Sequence, residues 1–357
     1  MTTLAVAPVS ARRHEHPVPW KPMARVTWLQ RRSTLIGLLV VFVACAVAIV
    51  VGQGSTHATY ASFVANGCVQ NRFHVPCGTF ENWFADNTDL FSAMVIALHA
   101  VPVVIGVFVG APLLSRELES GTFRFTWTQG VGRSRAVVTT LVLLALFVTV
   151  ATCVFGLLLN WFAHPFEVIG NESQWQSGLF DTTGPMLAAW TLFGIALGTF
   201  LGALIGRTVA AMASTAAVVA GLLVASFVSL VARLEAIGAL ATTRLMPMGL
   251  NVGQLNVPGS QFNGPVGSWL VRAWFTGPGG KRLDAAAANN VIGRMYGGPA
   301  NGKVGPSRWL SVHHYIYWVS YQPASRFWLF QVTAAAILIG MAVLLAFATV
   351  RLVRRRA

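Results

Sequence analysis

Apolar residues gather into six runs, at residues 35–51, 92–114, 136–162, 185–206, 208–231 and 328–350, separated by polar stretches of very unequal length. A helix needs about 20 apolar residues to cross roughly 30 Å of hydrocarbon at about 1.5 Å per residue. The runs therefore predict an all-α polytopic membrane protein with six transmembrane helices. The third run is long enough to tilt or to extend beyond the lipid. The first follows 34 mostly polar residues and reads as a retained anchor rather than a cleaved leader.

Composition agrees. Hydrophobic residues make up 55% of the 357 and charged residues only 10%, against about 25% charged in soluble domains. The net charge of +14 would suit a nucleic-acid binder, but its position excludes that class. The charge sits at the ends of the apolar runs. Arg12, Arg13, Lys21, Arg25, Arg31 and Arg32 precede the first run, Arg116, Arg124, Arg133 and Arg135 lie between the second and third, Arg207 lies between the fourth and fifth, and Arg351, Arg354, Arg355 and Arg356 follow the sixth. On the opposite side, segment 53–91 holds Arg72 alone and segment 163–184 holds no Lys or Arg. Basic residues near span ends stay in the cytoplasm, so both termini are expected there, in a cell membrane. Segment 233–327, with nine basic residues, is expected outside because long loops cross largely regardless of charge. The chain divides into a basic cytoplasmic tail (1–34), five spans (35–232), an extracellular insertion (233–327), and a sixth span with a basic tail (328–357). The insertion is rich in Gly, Pro and Asn and concentrates aromatics at Trp309, Tyr315, Tyr317, Trp318 and Tyr321, as at a membrane–water interface.

The cytoplasmic segment 115–135 reads Ser115-Arg-Glu-Leu-Glu-Ser-Gly-Thr-Phe-Arg-Phe-Thr-Trp-Thr-Gln-Gly-Val-Gly-Arg-Ser-Arg135. It begins where an apolar helix leaves the membrane, so Arg116, Glu117 and Glu119 prolong that helix into water. Gly121 is placed to end it, since glycine takes the left-handed conformation at low cost. From the residues alone this is a solvated connector. Yet Arg116-Glu117, Glu119, Gly121-Thr122, Arg124 and then Arg133-Ser-Arg135 resemble the coupling loop of type-II ATP-binding-cassette (ABC) exporter permeases. The resemblance implies that this loop forms a coupling helix docking in a groove of a separate ATPase subunit. It also implies an amphipathic helix before the first span, which 20–32 would supply, and a large outer insertion between the fifth and sixth spans, which is where 233–327 falls. Glu117 and Glu119 then have two open readings, pairing with the ATPase or with Arg116 and Arg124 of their own loop.

Four glycines in the fourth run, Gly194, Gly198, Gly202 and Gly206, recur every fourth residue. One helix face thus lacks side chains and admits a close neighbour, from this chain or from a second copy. Cys68 and Cys77, in a polar loop expected outside, can form a disulfide, whereas Cys45 and Cys153 lie in apolar runs. Gly297 to Lys303 matches most of a phosphate-binding loop, but Val304 stands where a metal-holding hydroxyl belongs. His313-His314 reads as an interfacial pair rather than a metal site, and His99 as a hydrogen-bonded imidazole inside the second span. No catalytic motif is present, so no cofactor is expected on this chain, and the resemblance implies that ATP and magnesium sit on the partner subunit.

The resemblance makes the chain the permease subunit of an ATP-driven exporter, with an ABC ATPase, a second permease copy or homologue, and the bilayer as partners. Its apolar, aromatic spans favour an amphipathic or lipid-like cargo, such as a drug or antibiotic. The competing readings are a membrane enzyme acting on a lipid-linked substrate, and a non-transporting sensor or immunity protein.

Overall fold

The computed structural model describes residues 20–52, 54–68, 77–121, 133–169, 177–228, 244–248, 269–297 and 306–355. The first helix, α1 (Trp20–Gly52), is continuous, so the stretch at 20–32 runs into the first span without a break. The chain then bends by 41° into α2 (Gly54–Ala65). The second span is built in pieces: α3 (Cys77–Leu98), α4 (Ala100–Ile105), a π-helical turn (Gly106–Gly110) and α5 (Pro112–Glu119). It starts well ahead of its apolar run, because Phe84 and Phe91 of α3 are held in an aromatic cluster. The third span is α6 (Arg133–Val168). A short α7 (Ser177–Thr182) leads into α8 (Gly184–Ile205) and α9 (Thr208–Val228), and α12 (Phe327–Arg355) closes the bundle. Five stretches are long and apolar enough to cross a membrane, and six if the bent α1–α2 pair is one span.

At the centre of the bundle is α8. In its apolar window 72% of residues are buried, against 22% for α9 and for α12. A helix that is apolar all round belongs in an interior, and α8 packs on α12, α6, α9 and the second span. Met186, Trp190 and Phe193 meet Val219 of α9 and Phe330 of α12 there. The outer helices leave apolar side chains such as Val154, Val209 and Phe347 uncovered, which in water would be unstable and in lipid is ordinary.

The insertion corrects the all-α expectation. Strands β1 (Arg244–Met248), β2 (Trp269–Thr276) and β3 (Ile316–Gln322) form an antiparallel sheet in the order β1-β3-β2. Met246 lies opposite Val319 and Trp274 opposite Trp318. Two helices, α10 (Ala285–Gly297) and α11 (Pro306–Val312), contribute Val291 and Leu310 to a core with Phe275 and Tyr317. The β-branched and aromatic residues of β3 suit a pleated, half-buried surface. Tyr317, expected at an interface, is thus buried in this core.

Candidate functional site

Segment 115–135 begins on α5. Its helix continues the second span to Glu119, and Ser120 closes it with its N–H on the Arg116 carbonyl. Gly121 follows at φ +68°, the left-handed position that ends many helices. Arg116 and Glu119 are exposed, and Glu117 and Arg135 are half-buried. Thr122 and Arg124 lie outside the described residues, as does the side chain of Arg133 at the start of α6. The decoy phosphate loop also falls mostly outside them.

Glu119 is already engaged within the chain. The backbone N–H of Thr208 donates to Glu119 Oε2 at 2.9 Å. A carboxylate there accepts from an N–H group that the first turn of α9 leaves without an intrahelical partner, and meets the positive end of its dipole. Beside it, the buried Ser115 hydroxyl donates to the Ala111 carbonyl at 2.9 Å and lies 3.3 Å from Thr208 Oγ1. This end of the second span is therefore tied to the start of the fifth. Gly206 makes the turn between α8 and α9 possible at φ +69°, its N–H on the Gly202 carbonyl. Of the four spaced glycines it terminates the helix, while the other three pack.

Those three lie on the second span backbone to backbone. A Cβ at Gly194 would come within 2.7 Å of the Pro102 carbonyl oxygen, and one at Gly198 within 2.5 Å of the Gly106 oxygen. A Cβ at Gly202 would strike the Ala111 oxygen. The fit is reciprocal, since a Cβ at Gly106 would meet the Gly194 oxygen at 2.9 Å. Where the second span widens into its π-turn, Thr199 Oγ1 donates to the Ile195 carbonyl at 2.7 Å and reaches the Gly110 oxygen at 3.3 Å. Single π-turns inside α-helices recur at functional sites. The neighbour of the glycine face is thus the chain's own second span. His99 sits at the joint between α3 and α4, its Nδ1 2.9 Å from the Val95 carbonyl oxygen.

Toward the other end, α1, α2, α3 and α6 enclose a cavity of about 490 Å³. Trp83, Phe91, Phe155, Phe162 and Phe166 supply aromatic walls, and Ser55, Thr56 and Asn87 a polar patch, with no charged side chain among the described residues that line it. Phe91 stacks on both Phe162 (centroids 5.7 Å, 21°) and Phe166 (4.4 Å, 15°), whose rings lie 5.9 Å apart. A disulfide between Cys68 and Cys77, with Cα atoms 5.7 Å apart, ties α2 to the start of α3 behind this wall. Such a cavity fits a mostly apolar ligand with one neutral hydrogen-bonding end.

Sequence reasoning missed a buried polar knot at the far end of α8. Asp181 is 2% exposed; its Oδ1 accepts from Trp190 Nε1–H at 3.2 Å and its Oδ2 from the Ser226 hydroxyl at 2.7 Å. Gln331, also buried, donates through Nε2 to the Phe180 carbonyl at 2.8 Å and lies 3.4 Å from Thr183 Oγ1. The knot joins α7, α8, α9 and α12. Its one sequence signal was a lone acid immediately before an apolar run. His313 stacks on Trp309 at 4.1 Å, and among the described residues no group of three His, Cys, Asp or Glu could hold a metal ion.

Comparison with known proteins adds one match. The profile of a family described as ABC-2 membrane transporter related matches residues 38–233. No curated protein matches the chain, and no solved structure does.

Proposed function

Since the chain belongs to the ABC-2 membrane transporter related family and is a multi-pass transporter permease, we propose that it is the membrane subunit of an ATP-driven exporter. In this account an ABC ATPase binds at 115–135 on the cytoplasmic side and supplies ATP hydrolysis, with magnesium, from its own site. Two copies of the permease, or this chain and a homologue, line the path. The cargo is a neutral amphipathic or lipid-like compound, of the kind represented by drugs and antibiotics.

The observation that carries the proposal is the continuity from the charged segment into the bundle. Glu119 caps α9, and the three packed glycines lock α8 against the second span. A push delivered to 116–121 therefore reaches the second, fourth and fifth spans as one body rather than being absorbed in a loop. Rigid-body transfer of this kind is an established route for switching. The uncharged aromatic cavity supports the cargo class.

The test is co-purification. Detergent-extracted chain should bring down a nucleotide-hydrolysing subunit in stoichiometric amount, and replacing residues 122–132 with a Gly/Ser linker should release it. A chain that purifies without any ATPase would favour the sensor or immunity reading instead.

A further inference from the structure

A second cavity-like site has a different chemistry. Where the beginning of α6 faces the end of α12, a groove of about 480 Å³ opens between the helices. Its walls are apolar, among them Val138, Val142, Phe347 and Val350, and Arg351 and Arg354 stand at one end. Val142 and Phe347 are 59% and 64% exposed, and both arginines are exposed as well. Among the described residues neither guanidinium has an ion-pair partner. We propose that this groove is a specific site for one anionic phospholipid, with its phosphate on Arg351 and Arg354 and one acyl chain along α6 and α12.

The geometry matches on both counts. From Val343 to Val350 the apolar wall follows α12 for eight residues, about 10 Å at 1.5 Å per residue, which is the reach of about half an acyl chain. The arginines lie at the end of a membrane span, where long basic side chains reach the headgroup layer. Two guanidinium forks one helical turn apart suit phosphate oxygens, which arginine grips through paired N–H donors. Basic pockets between spans recognise anionic headgroups in this way. The comparable groove between α1 and α6, lined by Leu35, Phe42 and Val150 among others, has no charged side chain among its described lining residues, which give a lipid tail nothing to select a headgroup with. The α6–α12 site needs only that these two helices span a bilayer, and it holds whether or not the chain transports anything.

Native mass spectrometry of the purified full-length chain, titrated with phosphatidylglycerol or phosphatidylcholine of the same chain length, decides the matter. A basic residue at an anionic surface contributes roughly five-fold in binding, so two contribute about 25-fold. Phosphatidylglycerol should bind at least about ten-fold tighter than phosphatidylcholine. Arg351→Gln/Arg354→Gln should erase that preference, while Arg351→Lys/Arg354→Lys should keep most of it. Val142→Trp, which fills the groove and leaves both charges, should weaken phosphatidylglycerol binding. Arg32→Gln/Arg207→Gln, which removes two charges elsewhere, should not. Equal binding of the two lipids by wild type overturns the proposal. So does a loss with Arg32→Gln/Arg207→Gln as large as with the Arg351/Arg354 pair, or undiminished binding by Val142→Trp.

Discussion

Adding one methyl group at Gly198 should do more damage than its size suggests. The new Cβ would stand 2.5 Å from the Gly106 oxygen, 2.8 Å from the Ala111 nitrogen and 3.1 Å from the Gly110 carbonyl carbon. All three are backbone atoms, so no side chain can swing aside. Reaching an ordinary contact of 3.4 Å requires α8 and the second span to part by about 0.9 Å. That separation would also stretch the Thr199–Gly110 contact, already 3.3 Å, past hydrogen-bonding range. Overpacking of this kind costs about 1–3 kcal/mol. Against it stands the helix-propensity gain of Gly→Ala, about 1 kcal/mol. Gly340 of α12, which has nothing within 4 Å, isolates that gain. Both substitutions share the propensity term, so Gly198→Ala and Gly340→Ala should differ by the overpacking cost alone, about 1–3 kcal/mol. Reversible unfolding in mixed micelles measures the difference directly. If the two variants proved equally stable, the second span would not be the neighbour of the glycine face.

Three further outcomes follow from the same contacts. Asp181→Ala leaves the Trp190 N–H and the Ser226 hydroxyl without their acceptor, and each buried unsatisfied group costs about 1–3 kcal/mol. Asp181→Asn keeps one acceptor oxygen, so stability should fall in the order wild type, Asn, Ala, and a reversed order would remove the knot from the account. Glu119→Lys should lower both thermal stability and ATPase association, because it uncaps α9; a variant as stable as wild type would contradict the cap. Cys68 and Cys77 should resist alkylation in intact cells until reductant is added, as their disulfide requires, and two reactive thiols without reductant would contradict it.

How much of this was legible in the sequence depended on which physical constraint was at work. The spans were readable because hydrocarbon imposes a minimum apolar length, and α8 and α12 fall almost where their runs do. The second span was readable only in its apolar half. Residues 77–91 include Glu81, Asp86 and Asp89 and look like a loop, yet Phe84, Phe91 and the disulfide hold them as helix against Phe166 of α6. The four-residue glycine period announced close packing, and the same spacing at Gly106 and Gly110, both against the α8 backbone, was the overlooked sign of its partner. Glu119 could be placed on the coupling segment but not on Thr208, which lies 89 residues away. The insertion misled for a compositional reason: its Gly, Pro and Asn obscured two strands whose aromatics, including Tyr317, pair and pack rather than mark a lipid boundary.

ATPase docking at residues 115–135 on the cytosolic side is the claim on which the functional account depends, and a photo-reactive amino acid at position 124 probes it in living cells. Ultraviolet light should yield one dominant adduct, an ATP-hydrolysing ABC subunit, with a yield that changes when ATP is depleted. An adduct only with extracytoplasmic proteins, or none with any nucleotide-hydrolysing subunit, would contradict it.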